Sequence, residues 1–273
     1  MNLSDHDLDR YFRRIGYSGA AGATLDTLAQ LQALHTSAIP FENLDPLMRR
    51  PVSLDLSALS RKFLDEQRGG YCFEQNTFFQ AVLRTLGFSV SGLAAVPQWN
   101  RPAGVTIPRT HMVLRVDLPE GPFIADVGFG GLTLTSPLRL VPDVAQDTTM
   151  EQFRLAPDGL QFQLQVHLGG HWAPLYLLSL QAVTPEDYEV FNWFTATHPN
   201  AIFTNHLMAA RPAADRRYGL FNNAFSIHHL NGRTEKRTID EPEELALVLR
   251  EHFHIRLPEG CDAVLEKVTR HVR

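Results

Sequence analysis

Apolar positions recur at helical spacing through the first third of the chain. Leu8, Tyr11, Phe12 and Ile15 form one stripe closed by Gly16, and Leu25, Leu28, Leu31 and Leu34 form a second, broken at Pro40. Leu56, Leu59 and Phe63 suggest a third. A fourth helix is predicted to open at about Cys72, with Phe79, Val82, Leu83 and Leu86 on its apolar face and Gly87 as its C-terminal stop. From about Ser89 the period falls to two. Met112, Leu114, Val116 and Leu118 alternate with Val113, Arg115 and Asp117, and Leu160, Phe162, Leu164, Val166 and Leu168 alternate with glutamines and His167. Turn residues punctuate these runs at Pro119-Glu120-Gly121-Pro122, Pro157-Asp158-Gly159 and Gly169-Gly170. Thr184-Pro185-Glu186-Asp187 caps a further helix or connector running to about His198. Beyond it come a strand at Ala224–Ile227, a turn at Asn231-Gly232, a helix from Pro242 through Leu249 and a last helix from about Asp262 to His271.

The expected fold class is therefore α+β. An N-terminal helical bundle occupies residues 1–89, a central antiparallel sheet or small β-barrel 90–183, a connecting helix or loop 184–207 and a mixed α/β unit 208–273.

Composition narrows the function classes. The chain has 273 residues, 44% hydrophobic and 20% charged, enough for a large core. The net charge of -5 is spread among residues of both signs, so no basic face for nucleic acid or an anionic membrane is evident. No apolar run approaches the roughly 20 residues of a membrane span, and the polar, acidic start Met1–Asp7 is unlike a secretory signal. Two cysteines far apart, Cys72 and Cys261, provide no disulfide framework and fit a reducing compartment. A cytoplasmic protein is expected.

Chemistry concentrates at Arg68-Gly69-Gly70-Tyr71-Cys72-Phe73-Glu74-Gln75-Asn76. A thiol that opens a helix meets unpaired N–H groups and a partial positive charge, which favour the thiolate. The glycine pair allows a tight turn and close approach of a substrate. Such a nucleophile needs a base and a group to orient it. Of the twelve histidines, His111 opens a predicted strand, and the strand returning after the turn carries Asp126 inside an apolar run. Asp126 reads either as the partner of His111 or as a buried ion pair with Arg115. A hairpin turning at 119–122 would set 115 opposite 126. His111 and Asp126 would then share a face but stand four residues apart, roughly 13 Å at ~3.3 Å per residue, a gap needing a bulge, twist or bend. Gly128-Phe129-Gly130-Gly131 follows without a helix after it, so a dinucleotide fold is excluded. The loop is either a plain turn or an anion cradle of backbone N–H groups. His228-His229 and His252-Phe253-His254 lack the spacing of metal ligands, and no metal is expected.

Taken together, the Arg68–Asn76 segment resembles the signature of the arylamine N-acetyltransferases, in their bacterial form. Ile39–Asp45, Thr110-His111, Asp126–Gly131, Asn192-Trp193-Phe194, Thr197-His198-Pro199 and Thr234-Glu235-Lys236 match further motifs of that family in order. The resemblance implies a helical bundle, a β-barrel and an α/β lid. It also implies a papain- or transglutaminase-like triad of Cys72, His111 and Asp126. By the same resemblance acetyl-coenzyme A is the donor, arylamines or arylhydrazines are the acceptors, and an acetyl-cysteine forms in ping-pong fashion. Phe41, Phe129 and Phe203 fall at acceptor-pocket positions. Gly128, Gly130 and Gly131 fall beside the coenzyme pyrophosphate, and Glu42 and Arg68 fall at a supporting ion pair. A related amide synthase, a thioester hydrolase and a non-catalytic binding protein remain rival readings. Whether the chain forms a homodimer is left open.

Overall fold

The computed structural model describes residues 2–101 and 107–270. Helix α1 (Asp5–Ile15) is capped by the Ser4 side chain and stops at Gly16 in the left-handed conformation, φ 73°. Helix α2 (Leu25–Ala38), capped by Thr24, ends before Pro40. The next residues depart from the all-helical expectation. Phe41–Glu42 form a strand, β1, because they pair with Ala210 and Ala209 far along the chain. A partner that distant leaves no periodic trace in so short a segment. Helix α3 (Leu44–Leu47) follows. The third apolar stripe is helix α4 (Leu56–Ser60) running into a π-helical turn at Arg61–Asp65.

Helix α5 (Cys72–Thr85) is the centre of this layer. Phe73, Phe78, Phe79, Val82 and Leu83 are all fully buried, so the helix is enclosed rather than one-sided. It packs on α4 and on the first strands of the following sheet.

That sheet comprises β2 (Ser89–Pro97), β3 (His111–Leu118), β4 (Gly121–Ala125), β5 (Leu138–Arg139), β6 (Gln146–Asp147), β7 (Gln152–Asp158), β8 (Gln161–Leu168) and β9 (His171–Ala182). Its antiparallel order is β5-β4-β3-β2-β9-β8-β7-β6. The two edges meet through one side chain. The Gln146 amide accepts from the Arg139 N–H at 2.8 Å and donates to the Arg139 carbonyl at 2.9 Å, imitating a strand partner and nearly closing a barrel. Leu93, Val113, Ile124, Phe153, Leu164 and Tyr176 are among the residues that fill it. Leu160, which the alternation assigned to a strand, is 97% exposed. Asp158 pairs with Gln161, so Leu160 lies in the tight turn with Gly159 at φ 60°.

Helix α6 (Pro185–Thr197) carries the predicted Thr184 cap. Strands β10 (Met208–Pro212), β11 (Arg216–Phe221), β12 (Ala224–His229) and β13 (Thr234–Thr238) then form a second sheet, with β1 at its edge. Helices α7 (Pro242–Glu251) and α8 (Asp262–Arg270) cover it. Leu220, Phe225, Leu245, Leu249, Phe253 and Leu265 belong to a separate core there. His271, where the last helix was expected to end, lies outside the described residues. Among the described residues, no helix is long and apolar enough to cross a membrane.

Candidate active site

Cys72 is the first residue of α5 and only 3% exposed, with Sγ 3.4 Å from the Thr110 carbonyl. The glycines before it serve packing, since neither has a positive φ. A Cβ on Gly69 would fall 1.9 Å from the Pro40 carbonyl, and one on Gly70 would fall 2.7 Å from Glu74 Oε2. That carboxylate accepts the Tyr71 N–H at 3.1 Å, satisfying a donor at the helix start. Gln75 Nε2 holds the Pro40 carbonyl at 2.8 Å and the Gly70 carbonyl at 3.2 Å, while its Oε1 pairs with His35 at 2.6 Å. Burial, only partly opposed by the Gln75 bond, pulls His35 down to about 4, so it is a neutral structural imidazole.

His111 opens β3, and its Nε2 lies 2.7 Å from Asp126 Oδ2. The predicted gap closes because the hairpin register differs from the expected one. Leu118 pairs with Gly121 and Arg115 with Ile124, so the loop is only Pro119-Glu120. The tighter loop shifts the return strand by two residues. His111 and Asp126 are then about two residues, roughly 7 Å, apart along the strands, within side-chain reach. The alternative partner is also resolved: Arg115 pairs with Asp117 at 2.8 Å.

Asp126 is fully buried and saturated with donors. Besides His111, it accepts from Asn76 Nδ2 at 3.0 Å and from the Gly128 N–H at 2.9 Å. Burial pushes its carboxyl up, but His111, Asn76 and Gly128 outweigh burial and hold it below the usual carboxylate range. For His111, burial pulls down, while Asp126 and then Cys72 raise it to about 10. The pair therefore stands as imidazolium and carboxylate. With Nε2 taken by Asp126, Nδ1 is the nitrogen left for the sulfur.

Two members of the site carried no assignment from sequence. Asn76, one helical turn beyond Cys72, binds Asp126 and the Met112 carbonyl and accepts the Val127 N–H, stapling α5 to both strands. Its i+4 spacing from Cys72 was the available signal. Tyr176 on β9 packs its ring 4.9 Å from His111 and 5.1 Å from Phe129. Nothing local marks it.

Phe41 and Phe203 meet edge to face at 5.8 Å, and Tyr71 lies 5.3 Å from Phe203. Phe129 is half-buried and packs 5.1 Å from His111, with no ring contact to Phe41 or Phe203 among the described residues. Phe41 and Phe203 thus pack with each other, and Phe129 packs beside the histidine. The glycine loop is partly committed already. The Gly128 N–H serves Asp126 and the Phe129 N–H serves Thr133, while the Gly130 and Gly131 N–H groups have no partner among the described residues. Beside this loop, Arg217 binds Glu151 at 2.6 Å and the Thr133 carbonyl at 3.0 Å, while its buried Nη1 has no partner among the described residues. These donors suit a phosphate. Arg68 pairs with Glu42 and Asp45, each at 2.8 Å, and Asp45 is an addition to the expected ion pair. Among the described residues, no cluster of three or more His, Cys, Asp or Glu is arranged for a metal.

Gly128 gives a direct test of this packing. A Cβ there would fall 2.6 Å from the Cys72 Cα, a clash with backbone. Gly128→Ala should lower the unfolding midpoint by about 2–5 °C, from an overpacking cost of about 1–3 kcal/mol. Gly131→Ala, whose Cβ would have no neighbour within 4 Å, should unfold like the parent chain in a thermal scan.

The sequence and fold have known relatives. A family model described as N-acetyltransferase matches residues 24–261. Arylamine N-acetyltransferase of Escherichia coli K12 is 40% identical over 254 residues, covering 93% of this chain and 90% of its own. That of Mycolicibacterium smegmatis is 39% identical, with 92% of each chain covered. The solved structure of Mycobacterium marinum arylamine N-acetyltransferase in complex with CoA superposes with a TM-score of 0.92 at 40% identity, covering 97% of this chain and 99% of that one.

Proposed function

Because the chain belongs to the arylamine N-acetyltransferase family, we propose that it moves an acetyl group from acetyl-coenzyme A to the nitrogen of an arylamine or arylhydrazine through an acetyl-Cys72 intermediate. The observation that carries this reading is the His111–Asp126 contact of 2.7 Å beside a sulfur at a helix start. Asp126 fixes the imidazole through Nε2, and Nδ1 takes the Cys72 proton. The thiolate attacks the thioester carbonyl. N–H groups of the first turn of α5 donate to the oxyanion. Collapse breaks the carbon–sulfur bond to the coenzyme, which leaves as its thiol with the proton from His111. The amine then attacks acetyl-Cys72, His111 accepts its proton, and Cys72 is released. Gly130, Gly131 and Arg217 supply donors for the coenzyme phosphates.

Single-turnover mixing with acetyl-coenzyme A, read by intact mass, tests this. The chain should gain one acetyl and lose it on addition of an arylamine. Loss to water without amine would identify a thioester hydrolase. No gain from acetyl-coenzyme A would point to an amide synthase or a binding protein.

Phe129 offers a test of acceptor choice. It lies half-buried against the triad histidine, where an aromatic ring could stack. Phe129→Ala should slow transfer to arylamines about tenfold or more, from a ring contact worth about 0.5–1.5 kcal/mol plus the lost apolar area. Transfer to an aliphatic amine and the acetylation burst should change much less. Equal losses for both amine classes would assign Phe129 to the fold instead.

A further inference from the structure

Behind the first turn of α5 lies a buried ion cluster that the proposed chemistry does not use. Lys62 Nζ, in the π-helical turn, reaches Glu74 Oε1 at 2.5 Å and Asp45 Oδ2 at 2.7 Å. Arg68 spans Asp45 and Glu42. All five residues are at most 8% exposed. When every group is ionised, three carboxylates (Glu42, Asp45, Glu74) face two cations (Lys62, Arg68), so one negative charge is unmatched. Burial of a surplus charge is costly and favours a proton on one carboxylate.

Asp45 touches both cations, whereas Glu42 and Glu74 each meet one cation and one backbone N–H among the described residues. Of these two, Glu74 stands in the first turn of α5, two residues after Cys72, where a change of charge bears on the sulfur. Its Oε2 caps the N–H of Tyr71, the residue immediately before Cys72. Burial pushes the Glu74 carboxyl up to about 7, with Lys62 opposing and Asp45 and Glu42 adding to the rise. Lys62 itself is held protonated, because these carboxylates outweigh its burial. A cavity of about 340 Å³ opens onto Asp45, Lys62, Arg68 and Glu74, and the triad does not line it, so protons have their own route from solvent. π-helical turns concentrate at functional positions, and this one delivers Lys62.

We propose that Glu74 is a positioning residue for Cys72 that acts through its own proton. Ionised, it sets a negative charge behind the helix start and opposes the thiolate; protonated, it keeps the Tyr71 cap while that opposition is removed. Lys62 then rests on Asp45. This rests on the reading of Cys72 as the acyl carrier, but its test does not depend on acetyl transfer.

The experiment is the pH dependence of Cys72 alkylation by iodoacetamide, followed by intact mass, in the parent chain and in Glu74→Gln. Glutamine keeps one oxygen to accept the Tyr71 N–H and, like the protonated carboxyl, gives up acceptance from Lys62, which Asp45 still holds. The alkylation midpoint should fall by about one pH unit in Glu74→Gln, the scale of one like charge removed several ångströms away. The parent profile should be broader than a single ionisation, and the Glu74→Gln profile should be single. Equal midpoints would overturn the proposal. A second measurement uses the parent chain alone, in case the variant fails to fold. A glutamate carboxyl should titrate near neutrality by ¹³C NMR and should move to lower pH once Cys72 is alkylated, since repulsion is reciprocal. No such carboxyl, or one that does not move, would overturn the proposal equally. Absence of Cys72 alkylation in either chain would instead overturn the reading of Cys72, and this inference with it.

Discussion

Cys72→Ser is expected to lower acetyl transfer by at least about four orders of magnitude while the chain still folds. The substitution is nearly isosteric at a site only 3% exposed, so little packing is lost. What changes is the nucleophile. A hydroxyl gives up its proton far less readily than a thiol, so no standing anion–imidazolium pair forms with His111. Cys261 cannot take over the role. It is buried just ahead of α8, and burial, with Asp262 adding to it, pushes its thiol up. Iodoacetamide should therefore label Cys72 well before Cys261, and saturating acetyl-coenzyme A should protect Cys72. Normal turnover by the serine variant, or preferential labelling of Cys261, would remove Cys72 from the mechanism.

Asp126→Asn is expected to cost on the order of 10³–10⁴ in the acetylation rate, measured by single-turnover mass. The amide keeps the shape but loses the charge that overcomes burial at His111. Without it the imidazole becomes neutral, its tautomer is no longer fixed, and the thiolate loses its counter-ion. A pH signature accompanies the loss. The depressed Asp126 carboxyl stabilises the fold above the unfolded value near 4, and this contribution is lost as pH falls through its native value. The raised His111 contributes fully below about 6.5 in pH and loses that contribution as pH rises toward about 10. The stability difference between parent and Asp126→Asn should therefore peak between about pH 4 and 6.5 and shrink toward pH 10. Thermal scans across that range measure it. A difference independent of pH, with near-normal acetylation, would reduce Asp126 to a packing residue.

Part of the site was legible because its signals are local. Cys72 follows a glycine pair and opens an apolar helical stripe, so local pattern placed this thiol at a helix start. Asp126 stood out as a carboxylate within an apolar strand, a position that demands a partner. The choice between His111 and Arg115 depended on the register of one hairpin. Pro119-Glu120-Gly121-Pro122 allows more than one turn, and a shift of two residues leaves the facing pattern unchanged. Alternation therefore could not detect the error, while the distance between the two side chains depends on it directly. Gly69 and Gly70 were visible as special residues but for a different reason. They make room for the Pro40 carbonyl and the Glu74 carboxylate, not for a positive φ.

By itself the sequence determined the main helices of the first third, the strand-rich middle, the capped helix after Thr184 and a cysteine at a helix start. These follow from periodicity, capping and turn chemistry, which act over a few residues. Tertiary structure alone decided which distant groups meet. It placed Phe41–Glu42 as the edge of a sheet built mainly from residues after 207, closed the barrel through Gln146 and Arg139, set Tyr176 on His111, and gathered Glu42, Asp45, Lys62, Arg68 and Glu74 beneath α5. Each of these contacts is set by register or packing between segments far apart in the chain. No local pattern encodes such an arrangement, because its energy is realised only once both partners are already in place.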